Sequence, residues 1–319
     1  MLQRYLKDRL KDRYFLLYRL GVRLGWYVIP AHYYASEPNI IELERTLEEW
    51  AYPSSMPGVR VELDAQVSDL RRVCLPFRDE YVGNSTYKAA VADHYGPGFG
   101  YLEAQLLHAV VRCCRPKRII EIGSGVSTRC MLEAVRKNAR DGAEPGQMTC
   151  IEPYPSAALR VLAAAEGSIA LIDRRVQSVG FDIYDGLGPG DILFVDSSHV
   201  VRAGSDVNHV VLEVLPRLHD GVLVHFHDIY FPYDYQRDVL KTFLHANETS
   251  LLQAFLMFND RFRILFSLSQ LHYDRPDALA EVFPEYVPQV ATRGLRDAGS
   301  DPAHHFPSST WLVVGSRPG

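Results

Sequence analysis

The stretch Arg118-Ile119-Ile120-Glu121-Ile122-Gly123-Ser124-Gly125-Val126-Ser127-Thr128 constrains this chain more than any other. A short β-branched run ends near a carboxylate, passes through two glycines one residue apart and reaches a Ser/Thr pair suited to capping a helix. That order predicts a strand, a tight turn and a helix. Glycine in such a turn lets the backbone approach a ligand closely, and the helix start behind it presents unpaired N–H groups. The stretch reads as a nucleotide-cofactor turn, against the plainer alternative of an ordinary tight turn.

The rhythm repeats downstream. A helix over about 128–138 is followed by a polar loop at 141–147, a second strand at Met148 to Ile151, a helix at Ser156 to Glu166 and a third strand at Ile169 to Ile172. Asp191 to Asp196 reads as the fourth strand, Asp206 to Leu218 as a helix and Gly221 to Phe226 as the fifth strand. Asp234 to Asn259 reads as largely helical, and Phe262 to Leu268 and Thr310 to Val314 as two more strands. Strands alternating with helices imply a parallel sheet covered on both faces. The expected fold is α/β: a doubly wound, Rossmann-like, mostly parallel seven-stranded sheet with an N-terminal helical extension.

Ligands of open parallel sheets bind beyond the carboxyl ends of the strands. Four of those ends carry ionisable groups here: Glu121 with the Gly123/Gly125 turn, Glu152, the run Asp196-Ser197-Ser198-His199, and the run His225-Phe226-His227-Asp228. Burying so many costs several kcal/mol unless they are paired or bound to something. Glu152 suits the two hydroxyls of a ribose. A dinucleotide fingerprint asks for a third glycine and an acid about 20 residues on, whereas Thr128 holds the third position and Glu152 arrives later. An adenosyl cofactor without a pyrophosphate tolerates this spacing. His225 alternates with Val224 and Phe226 and reads as a packed histidine, while Asp206, His209 and Asp234 read as caps or solvated faces.

Composition narrows the classes. A formal net charge of −5 argues against a general nucleic-acid binder, which needs a basic field. The five cysteines lack paired zinc spacing and read as reduced thiols. With no signal-peptide pattern and no apolar run of about 18 residues, a cytoplasmic protein is expected.

Residues 1–35 stand apart. Arg4, Lys7, Arg9, Lys11, Arg13, Arg19 and Arg23 face only Asp8 and Asp12, and leucines recur at helical spacing among Tyr5, Tyr14, Phe15, Tyr18, Trp26 and Tyr27. Such a basic amphipathic helix suits peripheral contact with an anionic membrane, or packing on its own domain or on a second subunit of a homo-oligomer. The many prolines and glycines of residues 36–100 suggest a helical, loop-rich cap, with the main domain over 101–319 and an insertion at 276–307 before the last strand.

The runs Ile119 to Gly125, Ile151-Glu152-Pro153 and Phe194 to His199 resemble the class I S-adenosylmethionine-dependent methyltransferases. More narrowly, Phe194 to Tyr235, with Asn247-Glu248 and Leu251 to Leu256, resembles the family often called methyltransferase domain 24. The resemblance covers roughly residues 101–269 and the strand near Trp311. It implies S-adenosylmethionine as cofactor, with Gly123 and Gly125 under its methionine part, Glu121 holding the turn, Glu152 on the ribose, Gln177 and Ser178 near the adenine, and Asp196 beside it. Similarity to catechol-type O-methyltransferases implies a divalent cation held by Asp196, His227 and Asp228. His227 among oxygen ligands would shift its preference from Mg towards Mn, Fe or Zn. His199 stands where that group has a lysine base, and a histidine can take a hydroxyl proton at neutral pH. The implied reaction is methyl transfer to an oxygen of a small-molecule or glycan acceptor, walled by Tyr230, Phe231, Tyr233 and Tyr235. Two other readings compete: a non-haem Fe(II) oxygenase using Asp196, His199 and His227, and a membrane-recruited, non-catalytic binding protein on the same scaffold.

Overall fold

The computed structural model of the chain describes residues 2–29, 35–96, 98–288, 292–296 and 306–315. They divide into two compact units, Met1–Trp50 and Ala51–Gly319. The smaller holds helix Leu2–Arg23 and the short helices Ile40–Arg45 and Leu47–Trp50. The larger holds the sheet.

The seven strands are β1 (Arg118–Ile122), β2 (Gln147–Ile151), β3 (Ile169–Ile172), β4 (Ile192–Val195), β5 (Leu223–Phe226), β6 (Phe262–Ser267) and β7 (Thr310–Val314). They lie in the order β3-β2-β1-β4-β5-β7-β6. The first five are parallel, and β7 runs antiparallel between β5 and β6. Alternation along each strand supplies two cores, because successive side chains point to opposite faces. Ile119, Met148, Cys150, Ile192, Phe194 and Trp311 fill one layer. Ile120, Ile122, Ile151, Leu193, Val195, Phe226 and Leu312 fill the other. Because β1 lies between β2 and β4, the chain winds outward in both directions from β1, and the crevice at that switch point is where such sheets bind ligands.

Three expectations need correction. The segment before residue 101 is not a separate cap: Leu70, Val73 and Cys74 of helix Leu63–Cys74 share one core with Leu106, Leu107 and Val110 of helix Tyr101–Cys114. The division of the chain falls after Trp50 instead of after residues 35 and 100. Between Asp234 and Asn259 only Glu248–Leu256 is an α-helix. The buried Gln236 side chain donates to Asp238 Oδ1 (2.8 Å) and to the Leu244 carbonyl (3.1 Å) and accepts from the Ala246 N–H, so it satisfies a loop that a helix would otherwise occupy. Of the expected insertion, 276–288 begins with helix Pro276–Val282, packed into the core through Leu279 and Val282, while 289–291 and 297–305 lie outside the described residues. All five cysteines are free thiols.

Candidate functional site

Gly123 follows β1 with φ +79°, and a Cβ there would sit 1.6 Å from the carbonyl oxygen of Asp196. Only glycine lets the turn lie against the end of β4. Gly125 differs: its backbone is extended, and a Cβ would meet nothing closer than the Tyr95 carbonyl oxygen at 3.6 Å. Its bareness leaves room rather than relieving a clash within the chain.

Glu121 works from behind the turn. Fully buried, it accepts hydrogen bonds from Ser127 Oγ (2.8 Å) and Thr128 Oγ1 (2.6 Å), with Cys150 Sγ at 3.3 Å. Thr128 Oγ1 in turn accepts from the Gly125 N–H (3.0 Å). Burial pushes the Glu121 carboxyl up to about 7 against the pull of these donors. It braces the start of helix Val126–Arg140 and does not line the cavity.

A cavity of about 710 Å³ opens over the carboxyl ends of β1, β2, β4 and β5. Glu152 lines it at the end of β2, its carboxylate held by the N–H groups of Ser124 (3.2 Å) and Tyr154 (2.8 Å). Gln177 lines it with Arg175 and Val176, its amide donating to the Gly204 carbonyl (2.9 Å). Ser178 does not line it, because its hydroxyl turns back to the Arg175 carbonyl (2.7 Å). The Ser197 hydroxyl is buried without a hydrogen-bond partner among the described residues, while the Ser124 hydroxyl is directed at the Glu121 carboxyl behind the turn. The Glu152 carboxylate gives the lining an acceptor suited to a ligand's hydroxyl groups.

At one end of the cavity the acids and histidines converge. His199 and Asp228 take φ values of +58° and +54°, a strained region for non-glycine residues that is concentrated at functional sites. His199 Nε2 lies 3.3 Å from Asp196 Oδ1 and 3.8 Å from Asp228 Oδ2, while Nδ1 lies 2.9 Å from Glu248 Oε2. Glu248 is 1% exposed. The His199 carbonyl also accepts from the N–H groups of Asn247 (3.0 Å) and Glu248 (3.2 Å). The start of helix Glu248–Leu256 therefore clamps both the backbone and the ring of His199. Burial lowers the ring's pKa, but Asp196, Glu248 and Asp228 together hold it well above the ordinary histidine value.

A second pair lies beside the first. His227 Nδ1 is 3.2 Å from Glu103 Oε1, within ion-pair range though off the hydrogen-bond line, and Nε2 is 3.5 Å from Asp228 Oδ1. Burial again pushes downward, and Glu103, Asp196 and Asp228 outweigh it, raising His227 to about 10. Ser308 Oγ donates to Asp228 Oδ1 (2.9 Å) and Glu103 Oε1 (3.1 Å). Burial raises the Asp228 carboxyl, yet the charges of His227 and His199 bring it below the usual carboxylate range.

This arrangement does not fit the expected cation. His199 Nε2 faces both Asp196 and Asp228, and the two ring nitrogens of His227 face Glu103 and Asp228. Among the described residues no group of three or more His, Cys, Asp or Glu side chains is placed to hold a metal ion. The same orientations disperse the Asp196, His199 and His227 triad of the iron reading. His225 is packed, as expected: its ring stacks on Phe194 at 4.0 Å between centroids, Nε2 meets Ser309 Oγ at 2.8 Å, and burial keeps it neutral.

The expected aromatic wall is elsewhere. Phe231 and Tyr233 are buried, Tyr235 donates to the Arg293 carbonyl (2.7 Å), and none of these lines the cavity. Tyr230 does not line it either and approaches the site only through Asp228. Tyr95 and Phe99, from the segment before helix Tyr101–Cys114, line it instead. Sequence reasoning missed these two along with Glu103 and Ser308. It quoted Asn247-Glu248 without giving the pair a role.

Residues 120–229 match the family model of methyltransferase domain 24, described as a methyltransferase domain. An uncharacterized protein of Archaeoglobus fulgidus is 29% identical over 164 residues, covering 50% of this chain and 72% of that protein. Among solved structures, the O-methyltransferase TomG of Streptomyces achromogenes, involved in tomaymycin synthesis and bound to S-adenosylmethionine, is distantly similar. It is 14% identical with a TM-score of 0.41, covering 81% of this chain and 92% of that one.

Proposed function

We propose that this chain, whose residues 120–229 match a methyltransferase domain, is an S-adenosylmethionine-dependent methyltransferase of class I that methylates a hydroxyl of a small-molecule or glycan acceptor with His199 as general base. The observation that carries the reading is the His199 ring at the cavity's end, with Nδ1 on the buried Glu248 and Nε2 toward Asp196 and Asp228.

When bound, S-adenosylmethionine supplies an electrophilic methyl carbon on a sulfonium. In this reading Gly123 and Gly125 form the floor under its methionine part, Glu152 accepts from its ribose hydroxyls, Gln177 lies toward its base, and Asp196 lies beside it.

His199 has the other half of the task. A hydroxyl becomes a good nucleophile only as its proton leaves, and a base within reach contributes typically about 10²–10⁴-fold. Nε2 takes that proton. Asp196 and Asp228 receive the imidazolium so formed, and Glu248 keeps the proton on Nδ1, so the ring presents its free lone pair from Nε2. The free protein holds His199 largely protonated, because the carboxylates outweigh burial. A positive charge entering the same cavity opposes the imidazolium and brings the ring back toward neutrality. No step is assigned to a divalent cation.

The reading is tested by incubating the protein with methyl-tritiated S-adenosylmethionine and a panel of phenols, sugars and hydroxylated polyketides, then identifying the labelled product by mass spectrometry. A methyl ether is expected, and His199→Ala should slow its formation by about 10²-fold or more. Labelled product carrying the methyl on nitrogen or carbon, or a His199→Ala protein with undiminished turnover, would overturn it.

A further inference from the structure

Within the unit Met1–Trp50, helix Leu2–Arg23 has two unlike sides. The chain reverses at Gly25 (φ +83°), where the Trp26 N–H bonds to the Gly21 carbonyl (2.8 Å). The returning segment is fastened to one side of the helix by the Tyr14 hydroxyl, which donates to the Val28 carbonyl (2.8 Å), and by the Tyr18 and Tyr27 rings, 6.4 Å apart. That side carries the returning segment, though Phe15 and Val22 on it remain 57% and 40% exposed.

Over residues 13–24 the other side carries exposed leucines. At 100° per residue, Leu16, Leu17, Leu20 and Leu24 fall within an arc of about 100° turned away from Tyr14 and Tyr18. Their exposures are 68%, 65%, 52% and 68%. Arg13 lies on the same face, Arg19 and Arg23 lie along its edge, and all three are exposed. Trp26, 71% exposed, follows the turn at the end of the helix. No helix among the described residues is long and apolar enough to cross a membrane.

Charge decides what such a face meets. Residues 1–35 carry seven arginines and lysines against Asp8 and Asp12, whereas the whole chain has a formal net charge of −5. A second copy would bring the same arginines against these ones. An anionic lipid surface offers the opposite sign and repels the acidic remainder, so this segment alone is attracted. Leucines can enter the acyl boundary while arginine stems snorkel and tryptophan settles at headgroup depth. We propose that helix Leu2–Arg23 docks the protein peripherally on an anionic bilayer through Leu16, Leu17, Leu20 and Leu24, flanked by Arg13, Arg19 and Arg23.

The test is co-sedimentation of the full chain with vesicles of phosphatidylcholine alone or mixed with phosphatidylserine. Two variants accompany it, Leu17→Gln/Leu20→Gln and Arg19→Glu/Arg23→Glu, both replacing exposed side chains so that the fold, followed by circular dichroism, is retained. Binding to the mixed vesicles is expected to exceed binding to phosphatidylcholine by at least about tenfold, and each variant should weaken it by at least about tenfold. No preference for phosphatidylserine would overturn the proposal, as would a leucine variant that binds like the parent. Self-association without vesicles that the leucine variant abolishes, with no vesicle binding, would assign the face to a second copy instead.

Discussion

His199 combines a strained backbone with a ring whose Nδ1 is paired to Glu248 and whose Nε2 faces Asp196 and Asp228. The left-handed conformation costs on the order of 1–3 kcal/mol, and Asn247 and Glu248 hold it in place through the His199 carbonyl. In the proposed reaction Glu248 acts only through this ring, which gives its role a distinct signature. Because the carboxylates hold His199 above its ordinary value, methyl transfer to the acceptor found in the labelled screen should keep rising with pH beyond neutrality as the ring loses its proton. Glu248→Gln removes a neighbouring negative charge, so the ring's pKa falls and the rising limb moves to lower pH, with the maximal rate reduced by about tenfold or more. Glu248→Asp should keep the limb near its original position. A Glu248→Gln profile that overlies the parent's would reduce Glu248 to packing. At this scale the residues readable from sequence were those at strand ends: Gly123, Glu152, Asp196, His199 and Asp228 each follow a recognisable apolar run. Glu248 is 49 positions from the ring it holds, and Ser308 is 80 from Asp228. No local pattern announces partners at such distances.

At the scale of elements, Glu121 ties β1 to the start of helix Val126–Arg140 through Ser127 and Thr128. Its carboxyl titrates near 4.3 when unfolded and near 7 when folded. Below both values it is protonated in either state. Between them the folded state binds the extra proton, so stability falls as pH rises, by on the order of 3 kcal/mol in all. Glu121→Gln removes that titration and leaves one carbonyl oxygen as acceptor for the two hydroxyls. The variant's stability deficit in urea unfolding should therefore be largest below about pH 4, shrink between about pH 4 and pH 7, and stay level above that. A deficit constant across this range would mean that Glu121 carries its charge in the folded protein. The strands were easy to anticipate because buried parallel strands are short β-branched runs with turn residues after them. The reading of Asp234 to Asn259 as helix failed because leucines and aromatics recur there at helical spacing, while Gln236 supplies the loop with its own hydrogen bonds. The reading of residues 36–100 as a cap took their prolines and glycines as a boundary. The leucines and valines of helix Leu63–Cys74 enter the main core all the same.

At the scale of the larger unit, the strand order places the Gly123 turn, Glu152 and the Asp196 to His199 run around one opening, with Asp228 at its far side. The order itself follows from alternating strands and helices, but the antiparallel insertion of β7 between β5 and β6 has no signal in its sequence beyond a short apolar run. In the proposed function this opening is the cofactor site. Calorimetric titration of S-adenosylmethionine into the parent protein and into Glu152→Ala examines that assignment. Saturable binding by the parent, weakened at least about tenfold by Glu152→Ala, or about 1.4 kcal/mol, is the predicted result. Absence of binding, or equal affinity in the two proteins, would contradict it.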